Sequence, residues 1–443
     1  MHLPPSHHHP DPLKSLAPHL LLHLPYSLPL LRIIQHTAFN PDARIFSTLK
    51  PDDNNVDPQQ AWAAVYVERS RFPEKESWLF STFESWVKRR TGGSDGSTDL
   101  DVNGEIGRRE AEARVHTLSV LNDVAIHSSS SSHTVTLPTP NTPLILGTLN
   151  DALLPLLAGS DFPTLKPVEV LTREIVNVAV DGRPAQEGTL LPLRPSSSSP
   201  TTNAIDANGG VILGYCKPVR KFLIPPPAPS TPSTTPSLLP AGYTFTTTLH
   251  QQSDLALAVS RSEIPRTVAG LGKLGGVGVR FHPLHPNPHP HHHATSSQHP
   301  PSSPPHTPAA EEGGLVAWLF LSPDGSLQSL HVEPGHRGKG IAKAVCRVLM
   351  ERLREVPEEV GMRRLETSGR GMMGGGSAED EDEGIAARMK EVGAEGWAHS
   401  DVLEHNADGA GVARGIGGKA GWRVRWVGVD LERVRRVCAS LNA

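Results

Sequence analysis

Apolar positions in the first part of the chain fall into short blocks with two different periods. From Leu13 to Gln35 the leucines recur at helical spacing but are broken by Pro25 and Pro29. Proline removes a backbone donor and clashes with the preceding turn, so this stretch predicts two short helices. Runs rich in β-branched and aromatic residues follow at 43–49, 62–69 and 78–83, separated by polar or proline-containing turns, and predict an antiparallel meander. Farther along, 145–157 (ILGTLNDALLPLL) reads as helix, and 211–216 and 243–249 read as strands.

Composition limits how much of the chain this pattern organises. The 443 residues include 42 prolines and 40 glycines, and only 37% are hydrophobic. Segments 1–12, 91–108, 127–142, 182–210, 225–240, 283–313 and 367–384 are predicted to lie outside any core. The remaining residues, about 300, suffice for two ordinary domains: an α+β unit over 1–240 with disordered inserts, and a second over 241–443 with a disordered loop at 283–313. The net charge of −4 gives no field toward nucleic acid or anionic lipid, so neither is expected as a partner. Leu20–Ile34 contains His23, Pro25, Pro29 and Arg32 and falls short of a membrane span; nor does it resemble a secretory signal. Cys216, Cys346 and Cys438 form no CxxC pair, which points to a reducing compartment, the cytoplasm with the nucleus as an alternative. The His/Pro tract 282–308 reads as an exposed loop in which prolines deny a metal fixed geometry, so no metal site is expected. The acidic run 379–383 reads as a solvated loop.

Chemistry concentrates in 315–356. Leu315–Leu321 reads as a buried strand, Ser322-Pro323-Asp324-Gly325 as a tight turn, and Ser326–Val332 as a second strand. Glu333-Pro334-Gly335-His336-Arg337-Gly338-Lys339-Gly340 then leads into a helix whose apolar face is Ile341, Val345, Val348, Leu349, Leu353 and Val356. A strand that stops at proline and enters a helix through closely spaced glycines aims several backbone N–H groups at one point near the positive end of the helix. Such a point binds phosphate. Gly338 and Gly340 let a pyrophosphate approach the backbone, and Arg337 and Lys339 add positive charge.

The series Arg337-x-x-Gly340-x-Ala342 resembles motif A of the GNAT N-acyltransferase superfamily, and LHVEP-GHRGKGIAKAV is similar to the glycine N-acyltransferase-like branch. Ile264-Pro265-Arg266-Thr267 resembles a short motif of fungal-type members. Downstream, Trp397–Val402 suggests the next strand, Asn406 matches the asparagine that opens the following helix, and Gly421-Trp422 matches a Gly-aromatic pair, so the resemblance covers about 242–431. It implies an α/β (α+β) fold, with a C-terminal mixed sheet splayed between two parallel strands. Acetyl-CoA or another acyl-CoA would enter there as cosubstrate. Leu330, His331 and Val332 would pair with the pantetheine arm; Arg337, Gly338, Lys339, Gly340, Ile341 and Ala342 would hold the pyrophosphate, with Asn406 nearby. The implied reaction is direct attack of an amine on the thioester. By strand alternation, Ser329, His331 and Glu333 share one face. His331 or Glu333 is therefore the candidate general base, the alternatives being a satisfied sheet histidine and an exposed strand end.

The resemblance also has gaps. Many members use a tyrosine after the Asn406-like position as acid to the leaving thiolate, whereas all four tyrosines here lie at or before Tyr243. The segment between Asn406 and Gly421 is glycine-rich. The readings are an acyl-CoA-dependent N-acyltransferase for a small-molecule amine or amino acid, a non-catalytic CoA-binding scaffold, or a protein N-acetyltransferase. Residues 1–240 lack an RxxGxG equivalent and read at most as a diverged half of the same kind. Gly270–Gly275 fits GxGxxG but follows helix instead of strand, which argues against a dinucleotide site. Cys346, inside the amphipathic helix, reads as a packing residue.

Overall fold

Three short helices, not two, open the chain: α1 (Pro12–Ser15), α2 (Ala17–Leu21) and α3 (Leu28–Thr37), preceded by a two-residue strand β1 (His7–His8). The extra break falls at Leu16, and Asp11 caps α1 by accepting from the Lys14 N–H. The computed structural model describes residues 2–37, 43–53, 56–69, 77–91, 102–130, 143–159, 209–215, 218–226, 239–246, 249–262, 266–283, 313–355 and 396–443.

The meander forms as expected from β2 (Arg44–Ser47), β3 (Ala63–Val67) and β4 (Ser77–Ser81), antiparallel throughout. Helices α4 (Thr82–Thr91) and α5 (Val102–Ser130) then lead to β5 (Leu144–Asn150), α6 (Leu154–Ala158), β6 (Ile212–Tyr215) and β7 (Val219–Ile224). Every described position of β3, β4 and β5 is buried, because the sheet has helices on both faces. Phe46, Val65 and Leu79 pack against Leu118, Leu121 and Val124 of α5; Ile45, Tyr66, Trp78 and Phe80 pack against Leu16, Leu20, Leu31 and Ile34 of α2 and α3 and the turn before α2.

The second half contains β8 (Tyr243–Thr246), α7 (Gln252–Ser260), α8 (Val268–Gly272), β9 (Gly275–Phe281), β10 (Gly314–Leu321), β11 (Leu327–Val332), α9 (Ile341–Glu355), β12 (Ala398–Leu403), α10 (Ala407–Gly415), β13 (Lys419–Val429) and α11 (Leu431–Asn442). Its order resembles that of the first half: a strand, short helices (three in the first half, two here), three antiparallel strands, a helical connection (two helices in the first half, one here), and a strand parallel to the third. β4 runs parallel to β5 through Ser77↔Leu146 and Trp78↔Gly147; β11 meets β12 through one parallel bridge, Ser326↔His399. The mixed α/β class is thus as expected, with the central sheet divided in two. One sheet runs β11-β10-β9-β8; the other runs β1-β2-β3-β4-β5-β13-β7-β12, with β6 also on β13.

The last strands of the halves are exchanged. β13 inserts beside β5 of the first half through Val427↔Leu146, while β7 lies between β13 and β12 of the second half, with Lys221 directly opposite Asp401.

Three sequence expectations are corrected. Residues 144–150 are strand, not helix, because two neighbouring strands claim their backbone; only after Asn150, whose Oδ1 accepts from the Ala152 N–H at 3.0 Å, does the short α6 begin. Residues 102–108 and 127–130 belong to the 29-residue helix α5, which is held by packing that loop-like composition conceals. Residues 7–8 and Pro12, within the segment set outside the core, are strand and helix. Residues 284–312, 379–383, Cys216, Ile264 and Pro265 lie outside the described residues. Among the described residues, no helix is long and apolar enough to cross a membrane.

Candidate active site

Among the described residues, β11 and β12 are bridged near their N-terminal ends, at Ser326↔His399. The His399 N–H donates to the Gly325 carbonyl at 3.0 Å, and the Ser400 hydroxyl to the Leu327 carbonyl at 3.3 Å. Beyond that apex the strands diverge around a cleft of about 1130 Å³, lined on one wall by Leu327–Val332 and on the other by Ser400–Leu403. A bulge helps drive the divergence. Phe320 pairs with Gln328 and Trp318 with His331, so Ser329 and Leu330 together oppose the single residue Leu319. Ser329 sits at φ +55°, an uncommon left-handed conformation for a side chain-bearing residue. The outer edge of β11 therefore faces the cleft instead of another strand.

The glycine-rich turn closes one end. After a 3-10 turn at Pro334–His336, Gly338 and Gly340 adopt φ +75° and +78°, and a Cβ at either would meet no atom within 4 Å. Open space thus stands before both glycines, as a phosphate cradle requires. The Gly340 carbonyl accepts the Ala344 N–H at 3.1 Å, so the N–H groups of Ile341, Ala342 and Lys343 precede the first turn of helical bonding. Ile341, Ala344, Val345 and Leu349 anchor α9 against Val277, Val279, Ala317 and Leu319 of β9 and β10, each large aliphatic side chain contributing about 2 kcal/mol. The Leu353 side chain and Val356 lie outside the described residues.

The charged residues of this turn are placed unequally. Arg337 lines the cleft and its Nε donates to the Val332 carbonyl at 2.9 Å. Lys339 turns away: Nζ donates to the Tyr243 hydroxyl at 2.7 Å, which in turn lies 2.9 Å from His336 Nδ1. Lysine only donates, so the Tyr243 hydroxyl accepts from Lys339 and links it to His336. The lysine that lines the cleft is instead Lys343, one turn along, packed over Gly415 of α10; residue spacing singles out Lys339 and misses it. Asn406 caps α10, its Oδ1 accepting the Gly409 N–H at 2.7 Å, and also lines the cleft.

The other face of the split holds the titratable groups. Leu330 and Val332 pack toward α9, so His331 points the opposite way and stacks on Trp318 at 4.7 Å between centroids. Its Nε2 is buried, makes no hydrogen bond among the described residues, and lies 3.8 Å from Glu333 Oε2. Burial lowers the His331 pKa from its ordinary 6.5, against the opposing pull of Glu333, leaving a neutral imidazole at pH 7. Glu333 is bound by Arg261 Nε at 3.0 Å and does not line the cleft, whereas Arg261 and Arg266 do. Arg266 is buried; it donates to Gln328 and lies 5.9 Å from the Trp426 ring centre. Asp401, absent from the sequence-derived set, enters the cleft wall with Lys221 Nζ 2.6 Å from its Oδ1.

A strand-edge cleft that ends in a glycine cradle at a helix N-terminus has the shape and the backbone donors for an extended ligand with a phosphorylated end. Residues 279–368, which include the cradle, match the family profile of the acetyltransferase (GNAT) family. Residues 2–179 match that of the acyl-CoA N-acyltransferase verG N-terminal domain. Together these matches support placement in the GNAT superfamily and, at family level, an acyl-CoA N-acyltransferase. No curated protein matches the chain. Among solved structures, a Drosophila protein is similar at 9% identity and TM-score 0.39, covering 95% of this chain and 96% of its own. A GCN5-related N-acetyltransferase from Sphaerobacter thermophilus is similar at 11% identity and TM-score 0.35, covering 95% and 93%. A tandem GNAT protein from the clavulanic acid biosynthesis pathway is similar at 9% identity and TM-score 0.37, covering 96% and 98%.

Proposed function

We propose that the chain transfers an acyl group, acetyl in the simplest case, from an acyl-CoA to the amine of a small molecule or amino acid. The observation that carries this reading is the divergence of β11 and β12 from one bridge into a cleft that ends at Gly338 and Gly340. The exposed edge of β11 would pair with the amides of the pantetheine arm, and the turn at 337–342 would take the pyrophosphate. This sets the thioester near the bulge at Ser329 and Leu330, where ladder pairing is broken and a backbone N–H is available to a developing oxyanion. The amine nitrogen attacks the thioester carbonyl, the C–N bond forms and the C–S bond breaks. A neutral His331 on the cleft wall accepts the amine proton, and CoA leaves as thiolate, to be protonated by water. Glu333, bound to Arg261, acts on His331 electrostatically and does not reach the acceptor. The described residues after Asn406 supply no tyrosine as acid, which favours as second reading a scaffold that binds CoA without turnover.

Calorimetric titration with acetyl-CoA, beside an Arg337→Glu/Gly340→Asp double variant, tests the cradle; thiol release with an amine panel tests turnover. Binding lost in the variant together with thiol release supports the transferase. Binding without release supports the scaffold, and absence of binding by folded wild-type protein refutes the site.

A further inference from the structure

Behind the cleft lies a buried chain of polar groups that joins the two halves. Lys221, on β7 of the first half, is only 1% exposed. Its Nζ lies 2.6 Å from Asp401 Oδ1 and 3.2 Å from His399 Nδ1, and His399 Nε2 lies 2.9 Å from the Asp324 carbonyl. Lysine has no acceptor, so His399 Nδ1 must accept and Nε2 must carry the proton given to Asp324. The Asp324 carboxylate is itself held by the indole N–H of Trp78 at 2.8 Å, from β4 of the first half. These contacts fix the Lys221 ammonium in one place, and the antiparallel register puts Asp401 directly opposite it.

A buried ion pair is a poor device for stability alone, because apolar residues of similar volume usually serve as well. What separates this pair from a structural one is where its acidic end emerges. Ala398 and Val402 of β12 pack toward α9, so by strand alternation His399 and Asp401 face away from α9. His331, on β11, also faces away from α9. The candidate base and Asp401 therefore share one face of the split, on opposite walls, and Asp401 is 14% exposed there.

We infer that Asp401 is the residue that receives the acceptor's amine by accepting one of its N–H bonds, and that Lys221 is a positioning residue that keeps Asp401 aimed into the cleft. This inference rests on the acyl-transfer reading and names a residue of its acceptor site. A carboxylate offers about four lone-pair sites, and Asp401 lines the cleft while bound to Lys221. A primary amine can give one N–H to Asp401, direct its lone pair at the thioester carbonyl and still yield a proton to His331. An alcohol has one O–H, which cannot both anchor and leave. The first half thus supplies, through Lys221, part of the acceptor wall.

The test compares wild type, Asp401→Asn, Lys221→Met and the double variant Lys221→Met/Asp401→Leu. Each is titrated with acetyl-CoA and assayed for thiol release against a panel of primary amines, diamines, amino acids, amino-acid amides and matched alcohols. The double variant replaces the pair with apolar groups and so keeps the fold if the single variants do not. All folded variants are expected to bind acetyl-CoA as wild type does. Misplacing the amine should lower kcat/KM by about 100-fold in Asp401→Asn and in the double variant, and Lys221→Met should raise the amine KM and lower kcat with the acetyl-CoA Kd unmoved. Wild-type rates in folded Asp401→Asn or in the double variant overturn the inference and leave the transferase reading standing. Wild-type protein that binds acetyl-CoA and releases no thiol with any amine overturns both.

Discussion

Replacing Gly340 by alanine separates the cost of shaping the cradle from the cost of filling it. Gly340 sits at φ +78°, and an added Cβ would meet no protein atom within 4 Å, so steric repacking contributes nothing. What remains is the backbone penalty of a left-handed L-residue, about 1–2 kcal/mol. If the turn relaxes to avoid it, the binding-competent conformation is depleted by about 5- to 30-fold and the apparent Kd for acetyl-CoA rises by that factor. If the turn keeps its shape, the melting temperature falls instead, by a few degrees at most for a chain of this size, and the methyl group then occupies the space reserved for the pyrophosphate. Both routes weaken binding. Gly335→Ala is the internal control: it also meets no atom within 4 Å but is not in the left-handed region, so its affinity should match wild type. Calorimetry on the three proteins, with thermal unfolding alongside, reads both quantities. Unchanged acetyl-CoA affinity in Gly340→Ala would refute the placement of the phosphates on this turn.

Three further outcomes follow from buried groups. Burial pushes the Glu84 pKa up from 4.5 to about 8, against donation from the Ser81 N–H and the Asn150 amide; the folded state then holds the proton that the unfolded state releases. The resulting stabilisation is complete below pH 4.5 and is lost as pH rises through 8, on the order of 5 kcal/mol across that window. Glu84→Gln should flatten the decline in denaturant midpoint between pH 5 and 9, measured by urea titration, and an equally steep decline would count against it. His331→Gln should lower kcat by about 100-fold with acetyl-CoA binding intact. Because burial lowers the His331 pKa and the base must be neutral, the wild-type acid limb should fall below pH 6.5 and disappear in the variant's pH–rate profile. Burial also pushes the Cys346 and Cys438 thiols up to about 12, so peptide mapping after treatment of native protein with iodoacetamide should find both unmodified.

How much of this was readable in the chain depends on how local the determinants are. The β10–β11 hairpin, the glycine turn and α9 are specified by neighbours in sequence: Pro323-Asp324-Gly325 makes the turn, with Gly325 at φ +77°, and the apolar stripe of α9 packs as its spacing predicts. Helix α5 carried a usable signal in Leu118, Leu121 and Ala125, which share its buried face, but the glycines, serines and charges around them obscured it. Other features have no local signal. Ser329 takes a left-handed conformation that its residue type does not favour. Lys221, in the run VRKFLI, reads as a solvent-facing strand residue and is buried only because Asp401, 180 positions away, pairs across from it. Lys339 has the right type and position for a phosphate ligand, and only Tyr243, brought alongside by β8, diverts it.

The repeated order of elements raises the question of why one half carries a cleft and the other does not. In the first half β4 ends at Ser81 and α4 begins at Thr82, so no glycine turn presents unpaired amides to a ligand. Glu84 takes that place in the first turn, buried and bonded to Asn150 of the parallel strand β5. Its carboxyl accepts from Ser81 of β4 and Asn150 of β5, so it fills the place of a ligand and bridges the two strands that would have to part. In the second half the corresponding junction lengthens to the eight residues between Val332 and Ile341, and the parallel strands separate after one bridge. The exchange of β7 and β13 then makes the closed half useful to the open one. β7 seals the far edge of β12, which would otherwise be left unpaired, and carries Lys221 to the back of Asp401. A first half without a phosphate cradle is therefore still required: it supplies both the strand that lets β12 stand apart from β11 and the cation that holds the acidic group on β12's wall of the cleft.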